Sequence, residues 1–323
     1  MSHLLGSRTI QILTLTLAGL VLLFPVSAVA QEQVMNPAKA PKGVEKIELK
    51  ELWRVGGYDD EEVLFGVITD IIADRNGNFY MLDSQLNEVQ VYSPAGAYQR
   101  TIGREGEGPG EIRMAFNIVL LPKGNIGVLQ AFPSKIVALT HAGDPADDYQ
   151  LASGEDESGF KMLFLARNAG ENLAVVYALT QPSESGFSHR NVASLFDSEG
   201  GYERQLHSQD ASLNAADAVF AEKEWDVLRN RWTSGSNGRV YSAVNFGEYN
   251  INVWNPDGKL SHVIHREYSQ HKRTAEQSER VLEIYEGFTR QIPFPNIKYK
   301  IEPNWNPIQT INALDDGTLW VQT

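Results

Sequence analysis

The sequence predicts an all-β fold of repeated four-stranded antiparallel sheets. Three observations predict it. Glycine-bearing turns recur at matched spacing, the short runs between them read as strands, and the first units repeat with a period of about 47 residues. A two-sheet sandwich does not repeat at that length.

The clearest unit begins at Val67. Residues 67–73 form an apolar strand, and Asp74-Arg75-Asn76-Gly77 is a tight turn. Residues 78–83 make a second strand, 84–87 a short loop, and 88–92 a third strand that alternates polar and apolar. Ser93-Pro94-Ala95-Gly96 turns again into a fourth strand over 97–102. The first turn recurs around Gly124, Gly170, Gly238 and Gly317, and the second around Gly143, Gly200 and Gly258. From first-turn to second-turn glycine the spacing is 19, 19, 30 and 20 residues. Glycine supplies the positive φ that hairpin corners need.

A lone four-stranded sheet buries little. Radial stacking of such sheets buries both faces, so the expected architecture is a β-propeller. Four whole units are readable, with a fifth that stops after two strands at 320–323. Residues 47–55 read as one further strand, expected to close the ring on the last blade. Insertions fall near 183–188, 210–230 and 267–306. In the last, Thr274 and Gln277 form a capping box and Val281, Ile284, Tyr285 and Phe288 share one helical face, with Pro293 beyond. This helix is expected to cover a blade surface, and a second helix is expected over 214–228.

Residues 67–112 resemble an NHL-type repeat. The carriers are the D-x-N-G-N turn, Phe79-Tyr80-Met81-Leu82-Asp83, Glu88-Val89-Gln90-Val91-Tyr92, and the connector Thr101-Ile102-Gly103-Arg104-Glu105-Gly106-Glu107-Gly108-Pro109-Gly110-Glu111. The connector is similar to I-G-x-x-G-x-G-x-G-E/Q-F of NHL repeats and of the bacterial exported six-bladed β-propeller family, with Ile112 in place of Phe. The match is specific over one blade and looser over 236–260. The resemblance implies six blades. The residues present supply about five, so the chain is expected either to lack about one blade beyond Thr323 or to close in an unusual way.

The N-terminus carries Arg8, an apolar run over 10–26, and Ala28 and Ala30 at the −3 and −1 positions of an A-x-A site. An uncleaved anchor is the alternative, since the run approaches the ~17 residues needed to span. Pro25 and the A-x-A site favour cleavage. The expected organisation is a signal peptide over 1–30, a flexible leader over 31–46 and a propeller over 47–323, giving an exported, periplasmic or secreted monomer.

The net charge of −13 argues against nucleic acid and anionic membrane surfaces as partners, because phosphate binding needs clustered Lys and Arg. The absence of cysteine removes disulfides, thiolate metal sites and thiol nucleophiles.

Strands alternate up and down within a blade. Loops joining second to third strands, and fourth strands to the next blade, therefore share one face, and binding residues concentrate in loops held by such scaffolds. The candidates on that face are Arg104, Glu105, Phe132, Lys135, Phe246, Glu248 and Tyr249. The glycine string over 103–110 lacks the G-K-[ST] ending of a phosphate loop. Asp74, Asn76 and Asn78 begin like a calcium loop, but Gln85 stands where its Glu belongs, so a hairpin turn is expected. Asp59-Asp60-Glu61-Glu62 reads as a solvated loop. His262, His265 and His271 share no chelating spacing, and there is no G-x-S-x-G elbow. No catalytic residue, metal site or cofactor is expected. The functional expectation is a binding module for a protein, peptide or glycan. The alternative is a metal-assisted lyase or hydrolase, which needs at least three His, Asp or Glu side chains converging near the channel.

Overall fold

A computed structural model describes residues 32–57, 64–130, 132–155, 157–226, 229–290, 292, 294 and 296–323. The expected signal peptide and the acidic cluster at 59–62 lie outside the described residues.

The first strand, β1 (Glu32–Asn36), falls in the segment expected to be a loose leader. Blade 1 follows as β2 (Ile68–Ala73), β3 (Phe79–Asp83), β4 (Glu88–Tyr92) and β5 (Tyr98–Ile102), paired in sequence order. Blade 2 holds β6 (Ala115–Leu120), β7 (Ile126–Gln130) and β8 (Lys135–Leu139). Its fourth edge is reduced to bridges from Pro145 to Leu139 and from Tyr149 to Ile136. Blade 3 is long-stranded: β9 (Phe160–Ala169), β10 (Asn172–Ser183), β11 (Gly186–Phe196) and β12 (Tyr202–Asn214). A connector then carries β13 (Val219–Ala221) and the short α1 (Glu222–Trp225). Blade 4 comprises β14 (Trp232–Ser234), β15 (Val240–Ser242), β16 (Asn250–Trp254) and β17 (Leu260–Arg266). The next connector carries α2 (Ala275–Thr289) and β18 (Lys298–Lys300), and leads to the two-stranded blade 5 of β19 (Thr310–Ala313) and β20 (Leu319–Gln322).

All nine corner glycines have positive φ, from +72° at Gly258 to +97° at Gly143. Asp74 shows how a corner is fixed. Its Oδ1 accepts the N–H groups of Asn76 and Asn78, each at 2.9 Å, and its Oδ2 accepts from the Asn78 amide at 2.9 Å. This is the hairpin turn expected in place of a calcium loop. Asp197, Asn237, Asp257 and Asp316 repeat the bond two residues ahead.

Alternate residues of one strand feed different cores, as radial stacking requires. Val175 and Tyr177 of β10 join Leu129 and Ile136 of blade 2, while Val176 between them joins Trp232 and Val240 of blade 4. Tyr241, next to Val240, turns instead to Ile308 and Ile311 at blade 5. Polar links tie the innermost strands together. The Asn117 amide donates to Asp70 of β2, and its Oδ1 accepts the Ala166 N–H at 2.9 Å.

Three expectations are corrected. Residues 47–55 form no strand, although the segment is anchored by Trp53, whose indole N–H donates to the Pro94 carbonyl at 3.1 Å. The outer strand comes instead from β1, which pairs in parallel with β17 from Glu32↔His262 to Asn36↔Arg266. Backbone pairing supplies this contact, since every residue of β1 is exposed, so no apolar pattern announced it. The helix expected over 214–228 is confined to α1, because β12 runs on to Asn214 and Val219–Ala221 pairs with β18.

Helix α2 has its predicted capping box. Gln277 N–H donates to Thr274 Oγ1 at 3.2 Å, and Thr274 N–H to Gln277 Oε1 at 2.9 Å. It packs through Tyr285 on Phe220, but Ile284 and Phe288 stay mainly exposed. What it covers is thus the inserted core of β13 and β18 (Phe220, Trp225, Tyr299 and Phe187 of β11) more than a blade surface.

Candidate functional site

The two inserted connectors are clasped together. Arg273, from the connector after blade 4, meets Glu222 of α1 in a two-pronged ion pair, both prongs at 2.7 Å. The side chains are 3% and 5% exposed. Glu222 also accepts the Glu302 N–H at 2.8 Å, and Arg273 donates to the Glu302 carbonyl at 2.8 Å. The guanidinium lies 4.4 Å from the centre of the Trp305 ring. A short ladder adds the Trp305 N–H to the His271 carbonyl at 2.9 Å. Trp305 is therefore held from behind by a buried charge pair.

In front of Trp305 opens a cleft of about 770 Å³. Its walls are Tyr249 from the β15–β16 loop, Arg266 at the end of β17, Tyr268 and His271 just after it, and Asn306 and Gln309 before β19. Apart from Arg266, these come from second-to-third-strand or blade-to-blade loops, the face expected to bind. The Arg266 guanidinium lies 5.6 Å from the Tyr249 ring centre and donates to the Ala38 carbonyl at 2.9 Å. The Tyr249 and Tyr268 rings are 6.2 Å apart, and the Tyr268 hydroxyl donates to the Gly247 carbonyl. Asn306 is 9% exposed, and its Oδ1 has no hydrogen-bond partner.

Of the seven residues singled out from sequence, Tyr249 lines this cleft. Glu248 accepts from the Asn245 amide at 2.9 Å and from the Asn250 amide at 2.5 Å, which shapes the same loop, and Phe246 is half-buried within it. The other four sit on earlier blades. Arg104 is used locally: its Nε and Nη2 donate to Glu111 Oε1 at 2.8 and 2.7 Å. Glu111 also accepts the Gly108 N–H at 2.8 Å, and the two donors, backbone first and guanidinium second, hold its carboxyl below the usual range. The glycine string is thus a structural corner. Glu105 is exposed and bridges to Ile112. Phe132, 60% exposed, lies 6.2 Å from the Phe160 ring, and Lys135 is 3.4 Å from Asp148.

Arg266, Tyr268, His271, Trp305, Asn306 and Gln309 were missed. All but Arg266, the last residue of β17, lie in or just beyond the third insertion, where no repeat register placed them. The available signal was Tyr268, which closely follows the fourth strand, and Trp305, which stands at the far end of the insertion. Among the described residues, no three His, Cys, Asp or Glu side chains are grouped to hold a metal ion.

No curated protein sequence matches the chain. Solved structures of low identity are similar to it. A Bacteroides fragilis protein described as exported is 12% identical with a TM-score of 0.46, covering 81% of this chain and 66% of its own. A streptogramin B lyase is 12% identical with a TM-score of 0.38, covering 78% and 74%. A gluconolactonase of Xanthomonas campestris is 14% identical with a TM-score of 0.34, covering 64% and 66%. Residues 59–146, which contain the clearest repeat and blade 2, match the protein family described as 6-bladed beta-propeller.

Proposed function

We propose that this is an exported binding propeller that holds a peptide or glycan ligand in the cleft between blades 4 and 5. The observation that carries the reading is the convergence, on the loop face, of two tyrosines, a tryptophan, a guanidinium and side-chain amides around one cleft of ligand size. Such a set suits recognition, with apolar rings for contact area and few polar groups for orientation. A metal-assisted lyase would need converging carboxylates or imidazoles, and the described residues hold no such group.

The test is a screen of peptide and glycan arrays with purified protein, followed by hydrogen-exchange mapping of each hit. Protection is expected at 245–249, 266–271 and 305–309, with loss of binding in Trp305→Ala. Protection confined to the corners around Gly77, Gly124, Gly170 and Gly238, on the opposite face, would sink this reading.

A further inference from the structure

We propose that the cleft selects an acidic carbohydrate, with Arg266 taking the carboxylate of a uronic acid residue. This rests on the cleft being the binding site, as proposed above, and adds the ligand's chemistry.

Arg266 is the first reason. Its guanidinium is laid over Tyr249 and tethered through one nitrogen to the Ala38 carbonyl, so its plane is fixed before any ligand arrives. It forms no ion pair among the described residues. Its neighbour Glu267 is exposed and lines the cleft without pairing with it. A planar guanidinium pre-set in this way matches a carboxylate, which can accept two parallel N–H bonds. In a chain of net charge −13, an anionic ligand needs such a local cation to be held at all.

The polar side chains of the walls are the second reason. Asn306 lines the cleft, and its buried Oδ1 has no partner. Gln309 and Ser269 add an amide and a hydroxyl along the same walls, while Tyr268 and Trp305 offer ring faces or edges to sugar C–H groups.

The backbone favours a sugar over an extended peptide. Strand β17, which ends at the cleft, already has its outer edge occupied by β1. An extended peptide therefore cannot add to β17 at this point. The polar groups on offer belong to side chains, which is what a polyhydroxylated ring uses.

The test is calorimetric titration with galacturonate, glucuronate and mannuronate oligosaccharides, each beside its neutral hexose counterpart. One uronate series is expected to bind at least about tenfold more tightly than its neutral partner. Methyl esterification of that uronate is expected to abolish the preference without any change to the protein. Arg266→Gln is expected to bring the acidic-to-neutral ratio to about one, and Arg266→Lys to keep part of the preference. Equal affinity for acidic and neutral sugars, or a preference that survives esterification, overturns the inference. Should peptides alone footprint at the cleft, the acidic-sugar inference fails while the binding site stands. A uronate footprint elsewhere removes both.

Discussion

Blades 1 and 3 obey the same rule and look different. Blade 1 has strands of five or six residues, and blade 3 has strands of ten to thirteen. Yet both keep a left-handed glycine at each corner, Gly77 and Gly96 in one, Gly170 and Gly200 in the other. The added length lies away from those corners, at the β10–β11 hairpin and the open ends of β9 and β12. The connectors that follow extend the same end. One face is conserved in geometry while the other carries the insertions, the buried ion pair and the cleft.

This contrast can be broken at its strongest point in the inserted region. Arg273→Ala strands the buried Glu222 carboxylate and is expected to cost about 3–5 kcal/mol in chemical denaturation. Replacing both partners, as in Arg273→Met with Glu222→Leu, should recover most of that loss. If the two regions are as separable as their construction suggests, hydrogen exchange in blade 1 should be unchanged by Arg273→Ala.

The matching experiment in blade 1 removes Asp83. This buried carboxylate accepts four backbone N–H groups, from Gly66 at 2.6 Å and from Val67, Gln85 and Leu86 at 3.0 Å each. Burial pushes its pKa up, but the four donors outweigh it and hold the carboxyl below its ordinary value. Asp83→Ala is expected to cost about 3 kcal/mol, since each orphaned donor is penalised. Because the native pKa is depressed, the stabilisation is present above the unfolded value near ~3.9 and fades as the pH falls through the native one. Denaturation midpoints measured from pH 5 to pH 2 should therefore fall less steeply in the variant than in the parent.

Gly103→Ala asks whether the connector corner is as rigid as blade 1 itself. Gly103 has φ +72°, and an added Cβ would lie 2.4 Å from Ile112 Cδ1. About 2 kcal/mol is expected from the backbone conformation and the shift of Ile112, read from the urea midpoint. The smallest effect is at the inserted helix. Thr274→Ala removes the capping box and should cost about 1 kcal/mol, with faster amide exchange in the first turn of α2.

How much was legible follows the same division. Corner glycines, the strand at 88–92 and the Thr274 cap depend on local chemistry, which sequence displays directly. The inserted region depends on contacts between distant segments. Val219–Ala221 is strand because Lys298–Lys300 lies beside it, and no local pattern encodes that pairing. The seven site candidates were drawn from loops whose register the repeat fixed. Tyr249 was reached by this route. Trp305 and Arg266 were not, since Trp305 is positioned by Arg273 and Glu222, and Arg266 is held by the carbonyl of Ala38 from the opposite end of the chain.

The union of β1 with β17 has a consequence for biogenesis. Asn36 and His265, joined through the Asn36 amide, are 229 positions apart. Strand β1 must therefore wait for the fourth blade before it finds its place. Until then it is a free tail, open to a chaperone or a protease, and its capture reports that most of the polypeptide has already assembled.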